Sequence, residues 1–180
     1  MAKFYDQLNE KLTDFILDQK IFFTGTAAAE GRVNVSPKGT DSLRVLNEKQ
    51  ILWLNLTGSG NETAAHLKAV NRLTLMFCAF DGPPLILRIY GTAKTIHRQD
   101  PKWENYYGHF IPDKGARNIF LLEIETVQTS CGFAVPLMDY KEDRDLLTKS
   151  MAKKSDEEIQ EYWKEKNMES IDGLPTGLFD

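Results

Sequence analysis

Apolar residues change their spacing along this chain, and each change predicts a different element. Over residues 3–19, Phe4, Leu8, Leu12, Phe15 and Ile16 recur at helical spacing, which predicts an N-terminal helix with one stripe packed on the body. The period then shortens. Residues 21–28, 33–36, 51–57, 73–80, 85–97 and 118–130 are rich in β-branched and aromatic side chains and are bounded by glycine, proline or asparagine, predicting six strands. Helical segments are expected at 62–70 and at 100–110, the latter capped by Asp100 with Pro101 in its first turn. Two more are expected in the tail, at 142–153 and 156–166, with Ser155 and Glu158 spaced as a capping box. Short turns and few intervening helices favour a mainly β, α+β protein built on a small antiparallel barrel over a doubly wound sheet.

Length and charge narrow the classes. The 180 residues predict one domain spanning 1–180, with a C-terminal helical extension over 142–167. A net charge of −4 leaves no basic excess for a nucleic-acid backbone or an anionic membrane surface. No apolar run approaches membrane-spanning length, and Met1 to Asp6 is charged and amphipathic, so a cytoplasmic protein is expected. Cys78 and Cys131 read as separate buried thiols, and none of His66, His97 and His109 has a neighbour at metal-ligand spacing.

The richest chemistry lies where the strand over 51–57 runs into the helix over 62–70. Leu56-Thr57-Gly58-Ser59-Gly60-Asn61-Glu62-Thr63 joins glycines, which let a ligand approach the backbone, to short side chains that donate and accept hydrogen bonds. The unpaired amides and positive end of the following helix suit a phosphate. Asn61 or Ser59 reads equally well as a simple helix cap. A nucleoside-triphosphate loop is excluded, because Asn61 and Glu62 stand where its lysine and hydroxyl residue belong.

Two cations accompany the turn. Lys38 sits between Pro37 and Gly39 at the end of a short strand containing Ser36; it reads as a held cation or as a solvated lysine. Arg88 interrupts an apolar strand and shares a face with Ile86 and Tyr90, either toward a partly polar pocket or on a solvated surface. Trp53 and Phe77 read as core, as does the aromatic face of Tyr106, Tyr107 and Phe110.

Five segments taken in order resemble a known family. They are Val-Ser-Pro-Lys-Gly at 35–39, Leu-Thr-Gly-Ser-Gly-Asn-Glu-Thr-Ala-Ala-His-Leu at 56–67, Met-Phe-Cys-Ala-Phe at 76–80, Arg-Ile-Tyr-Gly at 88–91, and Gln-Thr-Ser-Cys-Gly-Phe-Ala-Val-Pro-Leu-Met-Asp-Tyr at 128–140. The chain is similar to the pyridoxamine 5′-phosphate oxidase-like, FMN-binding split-barrel proteins, within a branch apart from the true vitamin B6 oxidases. The resemblance implies a six-stranded antiparallel split barrel, a homodimer with FMN at the subunit interface, and flavin oxidoreductase chemistry on a small substrate. It implies ring contacts from Ser36, Pro37 and Lys38, and phosphate contacts from Thr57, Ser59, Gly60, Asn61 and Thr63, with Arg88 as a further cation. The oxidases carry a basic Ser-Arg-Lys triplet at the phosphate turn, where this chain has Asn61-Glu62-Thr63, and the tail lacks their substrate-holding basic segment. Vitamin B6 oxidation is therefore not expected. A non-catalytic flavin-binding or stress-response protein, or a split barrel using deazaflavin or haem, is the alternative.

Overall fold

The computed structural model describes residues 2–180. Eight strands form one antiparallel sheet: β1 (Lys3–Tyr5), β2 (Phe22–Thr26), β3 (Asn34–Lys38), β4 (Leu43–Asn47), β5 (Gln50–Leu56), β6 (Leu73–Cys78), β7 (Ile86–His97) and β8 (Ala116–Ser130). Their order is β3-β2-β6-β7-β8-β5-β4, with β1 added beside the end of β8. Five helices, α1 (Glu10–Asp18), α2 (Glu62–Ala69), α3 (Trp103–Tyr107), α4 (Leu146–Ala152) and α5 (Asp156–Lys166), lie around it.

The sheet is rolled rather than flat. Phe22 on β2 meets the Trp53 ring on β5 edge-on at 6.2 Å, although three strands separate β2 from β5 in the sheet order. That contact belongs to a core which also takes Leu12 and Ile16 of α1, Leu75 and Phe77 of β6 and Phe120 of β8. Both expected aromatics, Trp53 and Phe77, are there. Alternate residues of β5 and β8 face the other way, where Leu52, Leu54, Ile119 and Leu121 pack under Trp103 and Phe110. Burial on both faces explains why these two strands read as continuous apolar runs. A bulge between Tyr90 and Gly91 bends β7 against β8, and a Cβ at Gly91 would sit 2.0 Å from the Glu123 carbonyl oxygen.

The expected mainly β class holds, with two strands more than the pattern predicts. The helix expected over 3–19 is shorter: Lys3–Tyr5 is a strand, and α1 opens at Asn9, whose side chain accepts from the Leu12 amide at 3.0 Å. Strand β4 escapes the pattern because Arg44 interrupts it and all but one of its residues are half-buried. The helix expected from Asp100 begins at Trp103; Asp100 instead accepts from the Lys102 amide in a turn. The first tail helix contracts to Leu146–Ala152, while α5 has both halves of its capping box, Ser155 and Glu158. Cys78 is buried as expected, but Cys131 is exposed, because Gly132 at φ +64 turns the chain away where β8 ends. Among the described residues no helix is long and apolar enough to cross a membrane.

Candidate functional site

A cavity of about 730 Å³ opens between β3, the β5–α2 turn and the residues following α5. Of the nine residues singled out above, Ser36, Lys38, Ser59, Gly60, Asn61 and Thr63 line it. The other three lie elsewhere. The Thr57 hydroxyl is spent inside the protein, donating to the Gly115 carbonyl at 2.8 Å and accepting from Trp163 Nε1 at 2.9 Å. Pro37 points from the outer side of β3, as the alternation of that edge strand requires. Arg88 stands on the outer face of the sheet, where its guanidinium reaches Ser130 Oγ at 3.3 Å.

The turn is more than a cap. Asn61 occupies the N-cap position of α2, yet its side chain makes no capping hydrogen bond, so the first amides of the helix are not satisfied by it. Its Oδ1 instead faces Asn118 Nδ2 and Asn55 Nδ2 at 3.4 and 3.5 Å, and Asn55 Nδ2 also donates to Asn118 Oδ1 at 2.8 Å. Asn61 Nδ2 is buried with no partner among the described residues. On the opposite wall, Asn34 Nδ2 donates to Thr26 Oγ1 and Thr63 Oγ1, while Ser36 Oγ donates to Asn34 Oδ1 at 2.9 Å. The Ser36 oxygen is thus left as an acceptor toward the cavity, and the Thr63 hydroxyl keeps its proton to donate.

A residue that the sequence pattern passes over supplies the strongest charge. Arg117, at the start of β8, borders the cavity and is 2 % exposed. Its Nη1 donates to Asn167 Oδ1 at 2.5 Å, and its Nε has no partner among the described residues. Burial lowers its pKa to about 10, which still leaves a full cation at neutral pH. Lys38 lies nearby, its ammonium 5.1 Å from the Trp53 ring centroid. Burial, and then the Arg117 charge, pull the Lys38 pKa down to about 8. Of the other charges lining the cavity, all but the exposed Glu169 carboxylate have partners. Arg32 pairs with Asp172, Lys166 with Glu165, and the Glu62 carboxylate accepts from the Ile171 amide at 3.1 and 3.2 Å. Among the described residues, no carboxylate forms an ion pair with Arg117 or Lys38, so the cavity keeps two uncompensated cations and two orphaned donors.

Arg117 lies in Asp113-Lys114-Gly115-Ala116-Arg117, a polar run that reads as a solvated loop. The one sequence signal pointing to it is the pair Asn55 and Asn118, two amides in otherwise apolar strands that mark a polar seam across β5 and β8. The tail contribution of Lys166, Glu169, Ser170 and Ile171 carries no motif at all.

Comparison with known proteins agrees with this architecture. The family profile described as pyridoxamine 5′-phosphate oxidase matches residues 8–131. A relative in Aspergillus flavus, the pyridoxamine 5′-phosphate oxidase family protein ustO, is 37 % identical over 97 % of this chain and 78 % of its own length. Among solved structures, HupZ of Group A Streptococcus covers 67 % of this chain and 91 % of its own at a TM-score of 0.53 and 17 % identity. A Lactobacillus delbrueckii protein described as a pyridoxamine 5′-phosphate oxidase covers 68 % and 94 % at a TM-score of 0.54 and 20 % identity. These structures share the fold, while the profile and the fungal relative go further: this chain belongs to the pyridoxamine 5′-phosphate oxidase family.

Proposed function

We propose that the cavity holds FMN and that the protein is a flavin-dependent oxidoreductase acting on a small molecule. The observation that carries the reading is that Asn61 and Arg117, each with a buried side-chain donor lacking a partner among the described residues, line one cavity with Lys38, which forms no ion pair there; Arg117 also borders a second cavity with Arg98 and Asp180. Unpaired buried donors cost about 1–3 kcal/mol each, which a bound anion repays. A phosphate fits that donor set: the Ser59 and Gly60 region of the turn, the first amides of α2, the Thr63 hydroxyl and Arg117 all offer hydrogen bonds, while of the two carboxylates lining the cavity Glu62 is held by the Ile171 amide and Glu169 is exposed. Bound flavin would supply two-electron transfer. The chain's own residues would bind and orient it, with Lys38 placing positive charge and Ser36 an acceptor beside the ring.

We infer a homodimer, and the outer face of the sheet supports that reading. Register aligns Pro37, Phe23, Met76, Arg88, Gln128 and Phe4 in one row across β3, β2, β6, β7, β8 and β1. Phe4 in this row is 66 % exposed, and Val33 and Val35, which also border the cavity at the β3 edge, are 71 % and 65 % exposed. A second copy on this face would bring Arg88 toward its partner's cavity, giving that arginine the cofactor role its own fold withholds.

The visible absorption spectrum and a titration with FMN and riboflavin test the reading. FMN bound at least about tenfold tighter than riboflavin is expected, since one charge-assisted contact is worth that much. Equal affinity, or no binding of either, would refute it. Turnover with NADH or NADPH beyond one equivalent of bound flavin distinguishes an oxidoreductase from a flavin-binding protein without catalysis.

A further inference from the structure

We propose that the segment following α5, through Asn167, is part of the anion site: Asn167 is a positioning residue that holds Arg117 toward the cavity while leaving its charge unneutralised. The inference rests on the FMN reading for the identity of the natural ligand, and its physical content is narrower. The buried cation at this cavity comes from β8 and not from the β5–α2 turn, and the residue that holds it lies beyond 131, where the family match ends.

Asn167 is fully buried and uses every polar atom of its side chain on the site. Its Oδ1 accepts from Arg117 Nη1 at 2.5 Å, and its Nδ2 donates to the Gly58 carbonyl at 3.1 Å, so one amide sets the distance between the guanidinium and the glycine-rich turn. The backbone of Asn167 is itself fixed, because its N–H donates to Trp163 and its carbonyl accepts from the buried Thr176 hydroxyl at 2.8 Å. Beyond it the segment is anchored to both walls: the Ile171 amide donates to Glu62, and Asp172 accepts from the Arg32 amide at 2.7 Å while pairing with its guanidinium. Tying Glu62 to Ile171 also removes the one carboxylate of the turn from competition for Arg117.

The choice of an amide is what makes this a ligand device. A buried arginine is ordinarily paired with a carboxylate, and an unpaired buried charge is costly. Here a neutral carbonyl oxygen orients the guanidinium without cancelling it, so the missing counter-charge must come from a ligand. An aspartate at 167 would provide that charge internally and switch the site off. Methionine at 117 would remove the cost of the buried cation along with the site.

Thermal unfolding of the full chain in sodium phosphate and in sodium chloride of matched ionic strength tests this directly, with Arg117→Met and Asn167→Asp as variants. The wild type is expected to gain stability in phosphate. Arg117→Met is expected to unfold about 3 °C or more above the wild type in chloride and to lose the phosphate response, a combination that simple loss of packing does not produce. Asn167→Asp is expected to lose the phosphate response and the preference for FMN over riboflavin by about tenfold or more. Wild-type phosphate responses in both variants, or a destabilised Arg117→Met in chloride, would overturn the inference. If the wild type responds to phosphate through these residues yet binds no flavin, the anion site stands and the FMN reading fails. If FMN is preferred in every variant, the reverse holds.

Discussion

At the scale of single residues, the site is governed by two cations without counter-ions. The depressed Lys38 pKa has a definite sign: the folded chain disfavours the charged ammonium. Its cost to stability is therefore fully present below about pH 8 and fades as pH rises toward the ordinary 10.5, because the unfolded state binds more protons across that window. Ligand binding runs the other way. FMN affinity of the wild type is expected to weaken as pH rises from about 7 to 9, through the Lys38 value near 8, by up to about tenfold. Lys38→Arg, which keeps its charge throughout, is expected to flatten that profile, and Lys38→Met to bind weakly at every pH. A wild-type slope that persists in Lys38→Met would assign the titration to another group. Lys38 is legible in sequence because Pro37 and Gly39 bracket it at a strand end. Its perturbing partner Arg117 is not, since that contact depends on how β8 pairs with β5, and a charged residue at the end of a polar run looks solvated until the pairing is known.

Between elements, the decisive seam joins α5 to the β5–α2 turn. Trp163 brings its indole N–H to Thr57 Oγ1, and Thr57 in turn holds the Gly115 carbonyl, so one hydroxyl links α5, the turn and the start of β8. A threonine in a glycine-rich turn looks like a ligand contact in sequence; folding turns it inward because two buried polar groups need it. Thr57→Val is therefore expected to cost roughly 1–3 kcal/mol in chemical denaturation by stranding the Trp163 indole N–H, the Gly115 carbonyl keeping the residue 57 amide, while the ratio of FMN to riboflavin affinity stays at the wild-type value. A collapse of that ratio with stability unchanged would restore Thr57 to the ligand. The capping box and the Ile159 and Trp163 stripe make α5 itself legible, and both residues are buried as that stripe requires. Its docking site is not, because a stripe says that a helix packs without saying on what. The same limit explains β1: Phe4 fits a helical stripe as well as a three-residue strand, and only the free edge beside the end of β8 decides between them.

For the whole molecule, the question is what covers the outer face of the rolled sheet. α3 caps the outer face of β5 and of the first half of β8, but among the described residues none of the apolar clusters that the helices join includes a member of the row from Pro37 to Phe4. Half-buried Phe23, Met76 and Tyr90 there surround Arg88, a pattern of apolar area around one cation that suits a self-complementary contact in which each copy repeats the other. The net charge of −4 is small enough not to oppose it. The protein is thus expected to run at twice its 20.5 kDa in light scattering coupled to size exclusion. Met76→Lys, which places a second cation beside Arg88 on that face, is expected to shift it toward 20.5 kDa and to weaken FMN binding in parallel, because a cofactor at a subunit interface loses part of its site with the partner. A monomeric variant that binds FMN as tightly as the wild type would show that one chain completes the cavity alone, with Arg117 and Asn167 sufficient for the phosphate and Arg88 outside the site. A wild type that is itself monomeric would leave the apolar row to some other occupant.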